Sequence, residues 1–179
     1  MLGAMLVGLE LRNRSTPPDW IDNLASACES HLLSLFFLGG REGVAEMAKA
    51  ELLRRHAGLN IAGTHHGYFD KTFGSEGNRR VVESINQANP DILLLGFGVP
   101  QQERWLQENL VAMNAPVLVS VGALFDYLGG STPRSPKWMS NHGFEWLWRL
   151  LHEPRRLWRR YLVGVPVFIW RMLSQRSHQ

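Results

Sequence analysis

Four short, continuously apolar runs, each closed by glycine, alternate with segments of helical periodicity. No other feature of the chain restricts its fold as much. Leu33 to Leu38 is an apolar run ended by Gly39-Gly40, and it reads as a buried strand followed by a tight turn. Glu42 to His56 places Val44, Met47, Ala48, Leu52 and Leu53 at helical spacing. Leu59 to Ala62, ended by Gly63, reads as a second strand, and Asn78 to Ala88 as a second helix with Val81, Val82 and Ile85 on one face. Asp91 to Phe97, bounded by Pro90 and Gly98, is the clearest strand. A third helix follows from about Gln101 to Met113, then a fourth strand from Pro116 to Val121, ended by Gly122.

Strands that are apolar throughout are usually covered on both faces. The alternation therefore predicts an α/β fold: a Rossmann-like open parallel sheet with helices on both faces. In open sheets of this kind the ligand sits outside the carboxyl ends of the strands. Those ends hold the unusual residues: Gly39-Gly40, Gly63 to Tyr68, Gly96 to Gln102, and Gly122 to Asp126. Four such loops on one edge predict a single shared pocket.

The pattern changes after Arg134. Strand signals stop, and Phe144 to Leu151 and Arg155 to Tyr161 read as helices separated by Pro154. Charge changes at the same place. Met1 to Pro133 carries 10 Lys/Arg against 14 Asp/Glu, a net of −4, whereas Arg134 to Gln179 carries 9 against 2, a net of +7. We read residues 1–133 as the α/β body and residues 134–179 as a basic helical appendage. A concentrated positive field calls for an anionic partner: lipid head groups, a phosphorylated substrate or nucleic acid.

With 45% apolar and 20% charged residues, the composition is that of a folded chain and not a disordered one. The lone Cys28 cannot form an internal disulfide and suits a reducing compartment; it reads as a small apolar helix residue. Met1 to Leu11 has neither a basic leader nor a clear cleavage site. The longest apolar run, Tyr161 to Trp170, has ten residues, short of the roughly 20 that span a bilayer.

Each loop admits a functional and a structural reading. In Gly39-Gly40-Arg41-Glu42-Gly43, backbone N–H groups at a helix start could hold a phosphate, or the glycines could simply make the turn. His65 and His66 are adjacent and lack a Cys or carboxylate at matching spacing, which makes a poor metal site. Tyr68 could stack on a planar base or be an ordinary surface aromatic. Gln102 and Glu103, in the first turn of a helix, could bond a sugar or pyrophosphate, or cap the helix. Asp126 is the only carboxylate in an apolar stretch. It could accept from a ribose hydroxyl or a base N–H, act as a general base, or pair with an arginine. Arg149, Arg155, Arg156, Arg159, Arg160 and Arg171 lie among Trp146, Trp148, Trp158, Tyr161 and Trp170. Arginine grips phosphate and tryptophan favours the membrane interface, so this is either a membrane-surface element or a solvated face over a Trp-rich seam. No nucleic-acid motif accompanies the charge.

Six collinear blocks resemble the WecG/TagA/CpsF family of bacterial glycosyltransferases: FFLGGREGVAEMA, IAGTHHGYF, INQANPDILLLGFGVPQQERWLQEN, VGALFDYLGG, RSPKWM and GFEWLWRLLHEPRRLWRRYL. They cover roughly Leu35 to Leu173. The resemblance implies a metal-independent, inverting transfer with no cofactor. The sugar, of N-acetylmannosamine, N-acetylmannosaminuronic acid or glucose type, passes from a UDP-sugar to a polyprenyl-diphosphate-linked saccharide. Such steps build teichoic acid linkage units, enterobacterial common antigen and exopolysaccharides. By matching position it implies UDP contacts at Tyr68, Gln102 and Asp126; with the phosphate reading of the glycine turn, the expected UDP-sugar site is Gly39, Gly40, Tyr68, Gln102 and Asp126. It implies acceptor-diphosphate and membrane contacts at Arg149, Arg156 and Arg159. The expected location is the cytoplasmic side, peripheral on the inner face of the plasma membrane, with homo-oligomers open and nucleic acid not a partner.

The family pattern also includes a Thr-x-Asn segment and an Asp-Gly aspartate proposed as the catalytic base. This sequence contains neither, and Asp19 and Asp22, in a helix-like stretch after Pro17-Pro18, are poor substitutes. The resemblance is thus to an N-terminally shortened member whose catalytic residue is unknown. Two further classes compete with the enzyme: a non-catalytic UDP-binding or membrane-associated module, which would bind UDP without transfer, and a nucleic-acid binder, which would give a salt-sensitive gel shift.

Overall fold

In the computed structural model, residues 15–133 are described, together with 135, 136, 139, 145–152, 154, 164, 166, 167 and 174. The chain divides into two compact units, Ser15–Pro133 and a second drawn from the remaining residues.

The first unit begins with helix α1 (Pro17–His31). Thr16 ties down its first turn: the Thr16 backbone N–H and hydroxyl both donate to the Asp19 carboxylate, at 3.0 and 2.6 Å, and the Asp19 N–H donates back to the Thr16 carbonyl at 2.7 Å. Strand β1 (Ser34–Gly39), helix α2 (Val44–Arg55), strand β2 (Asn60–His65) and helix α3 (Glu76–Ala88) follow. Then come strand β3 (Ile92–Gly96), helix α4 (Gln101–Asn109) with a 3-10 turn (Leu110–Ala112), strand β4 (Val117–Ser120) and helix α5 (Leu124–Leu128).

The four strands are all parallel, in the order β2-β1-β3-β4. Strands β1 and β3 sit in the middle and are buried along their whole length. Alternate residues of each face opposite layers. Leu35, Phe37, Ile92 and Leu94 join Ile21, Ala25 and Cys28 of α1, Val44, Ala48 and Leu52 of α2, and Leu124 and Phe125 of α5. Phe36, Leu38, Leu93 and Leu95 join Val81, Val82 and Ile85 of α3 and Trp105 of α4. Helices thus cover both faces, as expected for an α/β sheet of this pattern. Cys28 is fully buried in the first layer. Burial pushes its thiol pKa up, with the Asp91 carboxylate adding to the effect.

Two polar clasps hold the layers in register. At the amino edge of the sheet, Asp91 accepts from the backbone N–H and the hydroxyl of Ser34, both at 2.7 Å, which ties β3 to β1. Between α3 and α4, Asn78 accepts from the Trp105 indole N–H at 2.6 Å and donates to Asn109 Oδ1 at 2.8 Å. Asn109 in turn donates to the Trp105 carbonyl at 2.8 Å. All three residues are buried, so each of these polar atoms needs the partner it has.

Strand β2 corrects one expectation. Gly63 reads as the end of a strand, yet the strand continues to His65. Its register against β1 slips at Leu35/Phe36, so that Phe36 faces Gly63. A side chain at position 63 would begin 2.5 Å from the Phe36 ring. The glycine is there to admit a phenylalanine, a common reason for glycine inside a strand.

In the second unit, helix α6 (Glu145–His152) is described. Trp148 and His152 lie one turn apart with ring centroids 4.5 Å apart, and the Trp148 carbonyl is 2.9 Å from His152 Nδ1. No helix among the described residues is long and apolar enough to cross a membrane.

Candidate functional site

The strand order creates a divergence. After β1 the chain passes through α2, on the first face, to β2; after β3 it passes through α4, on the other face, to β4 at the opposite edge. The loops that leave β1 and β3 therefore part from each other at the carboxyl edge, which is where doubly wound sheets hold ligands. The loop after β1 is Gly40-Arg41-Glu42-Gly43, and the loop after β3, Phe97-Gly98-Val99-Pro100, holds only glycine, proline and apolar residues.

The rim is packed backbone against backbone. Gly39 lies opposite Gly96 in the parallel ladder. A Cβ on Gly39 would stand 2.5 Å from the Gly96 carbonyl oxygen, and one on Gly96 would stand 2.7 Å from the Gly122 carbonyl oxygen and 2.9 Å from the Phe125 ring. The Gly40 N–H donates to the Gly96 carbonyl at 3.1 Å, and the Gly67 N–H donates to the Gly40 carbonyl at 2.8 Å. Loops after β1, β2, β3 and β4 thus meet through Gly39, Gly40, Gly67, Gly96 and Gly122.

The residues expected to carry function lie as follows. Gly39 and Gly40 form the turn after β1, with Gly40 at φ +70°, a left-handed backbone that favours glycine. The Gly40 N–H is already spent on Gly96, so it serves the rim's own structure. Tyr68 stands in the loop after β2 with its side chain largely in solvent (66% exposed). Its N–H donates to His66 Nδ1 at 3.2 Å, while the His66 carbonyl lies 2.8 Å from His65 Nδ1. The paired histidines are thus tied to their own loop, and no group of three or more His, Cys, Asp or Glu gathers as a metal site among the described residues.

Gln102 is buried at the start of α4. Its Oε1 accepts from the Gly98 N–H at 3.2 Å and its Nε2 donates to Glu103 at 2.8 Å, so it pins the glycine turn to the helix. Asp126 is half-buried on α5. Phe125, its neighbour, stacks on Phe37 with ring centroids 5.0 Å apart and fixes the helix against the sheet. The Asp126 carboxylate accepts from the Ser131 hydroxyl at 3.2 Å, and its carbonyl accepts from the Thr132 N–H at 3.1 Å. Tyr68, Gln102 and Asp126 therefore all follow strands on one edge of one sheet. The side chain of Arg149, and the whole of Arg156 and Arg159, lie outside the described residues.

One residue at this rim carries no signal in the sequence. Lys71, half-buried, donates to the Gly67 carbonyl, and its Nζ lies 4.6 Å from the centre of the Phe69 ring and 4.9 Å from that of Phe97. It bridges the loops after β2 and β3. Desolvation holds its ammonium pKa below the ordinary lysine value. Phe69, Phe97 and Trp105 pack edge to face behind it.

A doubly wound parallel sheet with a glycine-built rim where its loops diverge places the chain among the open α/β proteins that bind ligands across such a crevice. Within that class, the chain belongs to the glycosyl transferase WecG/TagA/CpsF family, whose model matches residues 1–179. Among curated proteins it is similar to three that share the name N-acetylglucosaminyldiphosphoundecaprenol N-acetyl-beta-D-mannosaminyltransferase. The one from Bacillus subtilis (strain 168) is 26% identical over 175 residues, covering 97% of this chain and 65% of the relative. The one from Bacillus spizizenii is 28% identical over 169 residues, covering 94% and 63%. The one from Staphylococcus aureus (strain MW2) is 29% identical over 142 residues, covering 79% and 53%. The chain thus spans between about half and two thirds of the length of these relatives.

Proposed function

We propose that this chain serves a glycosyltransferase that moves a sugar from a UDP-sugar to a polyprenyl-diphosphate-linked saccharide in the building of a bacterial surface polysaccharide. The relatives' names favour an N-acetylmannosamine-type sugar and a lipid-linked N-acetylglucosamine acceptor. The observation that carries the reading is the rim itself: in a member of this family, four loops meet through glycines where the sheet's connections diverge.

In this reading the donor lies across the carboxyl edge. The exposed ring of Tyr68 stacks on the uracil, and Asp126 accepts from the ribose or the base. Gly39 and Gly40 keep the first turn low, so that the diphosphate approaches the start of α2, where the helix dipole favours negative charge. Gln102 holds the facing turn in shape. The acceptor hydroxyl oxygen bonds the anomeric carbon while the bond from that carbon to the β-phosphate oxygen breaks. The electron pair leaves with UDP, and the hydroxyl proton passes to solvent, with inversion at the anomeric carbon. Arg149, Arg156 and Arg159 meet the acceptor diphosphate, and the arginine–tryptophan appendage rests on anionic lipid at the inner membrane face.

Calorimetric titration of the full chain with UDP, alongside a transfer assay on a polyprenyl-diphosphate-N-acetylglucosamine acceptor, tests this. UDP should bind, and Asp126→Ala should weaken binding roughly tenfold, the loss of one charge-assisted bond. Binding without transfer would reassign the chain to a nucleotide-binding module, and the absence of UDP binding would end the proposal.

A further inference from the structure

Lys71 has a setting that the fold alone does not account for. Its ammonium is half-buried, rests on two aromatic rings and has a carbonyl for its hydrogen bond, yet no carboxylate among the described residues pairs with it. The neighbouring Asp70 is engaged elsewhere: its carboxylate accepts from the Thr72 N–H at 3.0 Å, and hydrogen bonds from Thr72 and Ser75 hold its pKa below the usual range. Removing an ammonium from water is costly unless an anion answers it. A lysine used only as packing would be expected to send its head group out to solvent.

The place matters as much as the burial. The Gly67 carbonyl that receives Lys71 belongs to the residue whose N–H bonds Gly40, and a Cβ on Gly67 would stand 3.3 Å from the Gly39 Cα. One residue therefore separates the cation from the turn after β1. On the other side it touches Phe97, which leads into the turn after β3. The charge stands at the meeting of the loops after β2 and β3, with Gly67 between it and the turn after β1.

We infer that Lys71 is a binding residue for the diphosphate of the donor, its ammonium set at the mouth of the crevice to answer the phosphate charge. This rests on the nucleotide-sugar reading proposed above and deepens it. The aromatic rings hold the ammonium in place before the ligand arrives, and partial desolvation strengthens its pull on an anion. The exposed Tyr68 ring, three residues earlier in the same loop, would meet the base while Lys71 meets the diphosphate.

The full chain and its Lys71→Met and Lys71→Arg variants would each be titrated with UDP, uridine and inorganic pyrophosphate, with circular dichroism as a check that each is folded. Lys71→Met should lose affinity for UDP and pyrophosphate by roughly 10- to 100-fold, while uridine binding stays unchanged. Lys71→Arg should keep UDP binding within a few-fold. If Lys71→Met binds UDP as the parent does, or loses UDP and uridine in equal proportion, Lys71 is a brace for its loop and the inference is overturned. If the unsubstituted chain binds none of the three probes, the nucleotide-sugar reading itself fails and takes this one with it.

Discussion

Replacing Asn78 by alanine should damage this fold more than any change of one exposed residue, and the cost can be worked from two bonds. Asn78 Oδ1 takes the Trp105 indole proton at 2.6 Å, and Asn78 Nδ2 gives a proton to Asn109 Oδ1 at 2.8 Å. Alanine leaves both partners in place without their bonds, and both residues are buried, at 1% and 2% exposure. Each orphaned buried group costs about 1–3 kcal/mol. A water entering the vacated space recovers part of this, so the net loss should be about 2–4 kcal/mol. The Ser75 cap of α3 is spared, because it holds the backbone N–H of Asn78 and not its side chain.

For a chain of this size each kcal/mol moves Tm by about 2–4 °C, which puts the expected drop at about 5–15 °C. Urea unfolding followed by far-ultraviolet circular dichroism reads the free energy directly. A double-mutant cycle with Trp105→Phe isolates the bond itself, since the lost indole packing cancels, and the coupling should exceed about 1 kcal/mol. If Asn78→Ala costs less than about 0.5 kcal/mol, or the two changes add within that margin, then the α3–α4 clasp does not hold the layers and the reasoning is wrong.

Gly96→Ala should destabilise the chain by about 1–3 kcal/mol, since its methyl group would lie 2.7 Å from the Gly122 carbonyl oxygen and the backbone there must shift; an unchanged urea midpoint would show that the rim is looser than drawn. The Ser34 backbone N–H, then its hydroxyl, hold the Asp91 pKa below the usual carboxylate range. The resulting stabilisation is complete above the unfolded value of about 3.9 and is lost as pH falls through the depressed folded value. Stability measured from pH 6 down to 3 should therefore fall less steeply in Asp91→Asn than in the unsubstituted chain, and parallel curves would refute the link.

The α/β layering could be read from the sequence because each strand signal is local. A run such as Ile92–Gly96 is buried on both faces whichever strand it pairs with, so its composition reports its place in the sheet. The loops were harder to read, because glycine has more than one use. Gly39, Gly63 and Gly96 look alike in sequence. In the fold Gly39 and Gly96 let neighbouring backbones approach into the space a methyl group would fill, and Gly63 makes room for the Phe36 ring. Gly40, which resembles a phosphate-binding turn, spends its N–H on Gly96. Gln102 has both ends of its amide engaged within its own turn, which is the capping role the local sequence also allowed. With the Gly40 N–H engaged within the rim, what answers an anion in the proposed reading is the start of α2 together with side chains. Lys71 meets that need only through tertiary structure, because the ring of Phe97, on the far side of α3, closes over it. In the proposed reading the sheet supplies the geometry, and Lys71, held partly out of water against two rings, adds its charge to that of the start of α2.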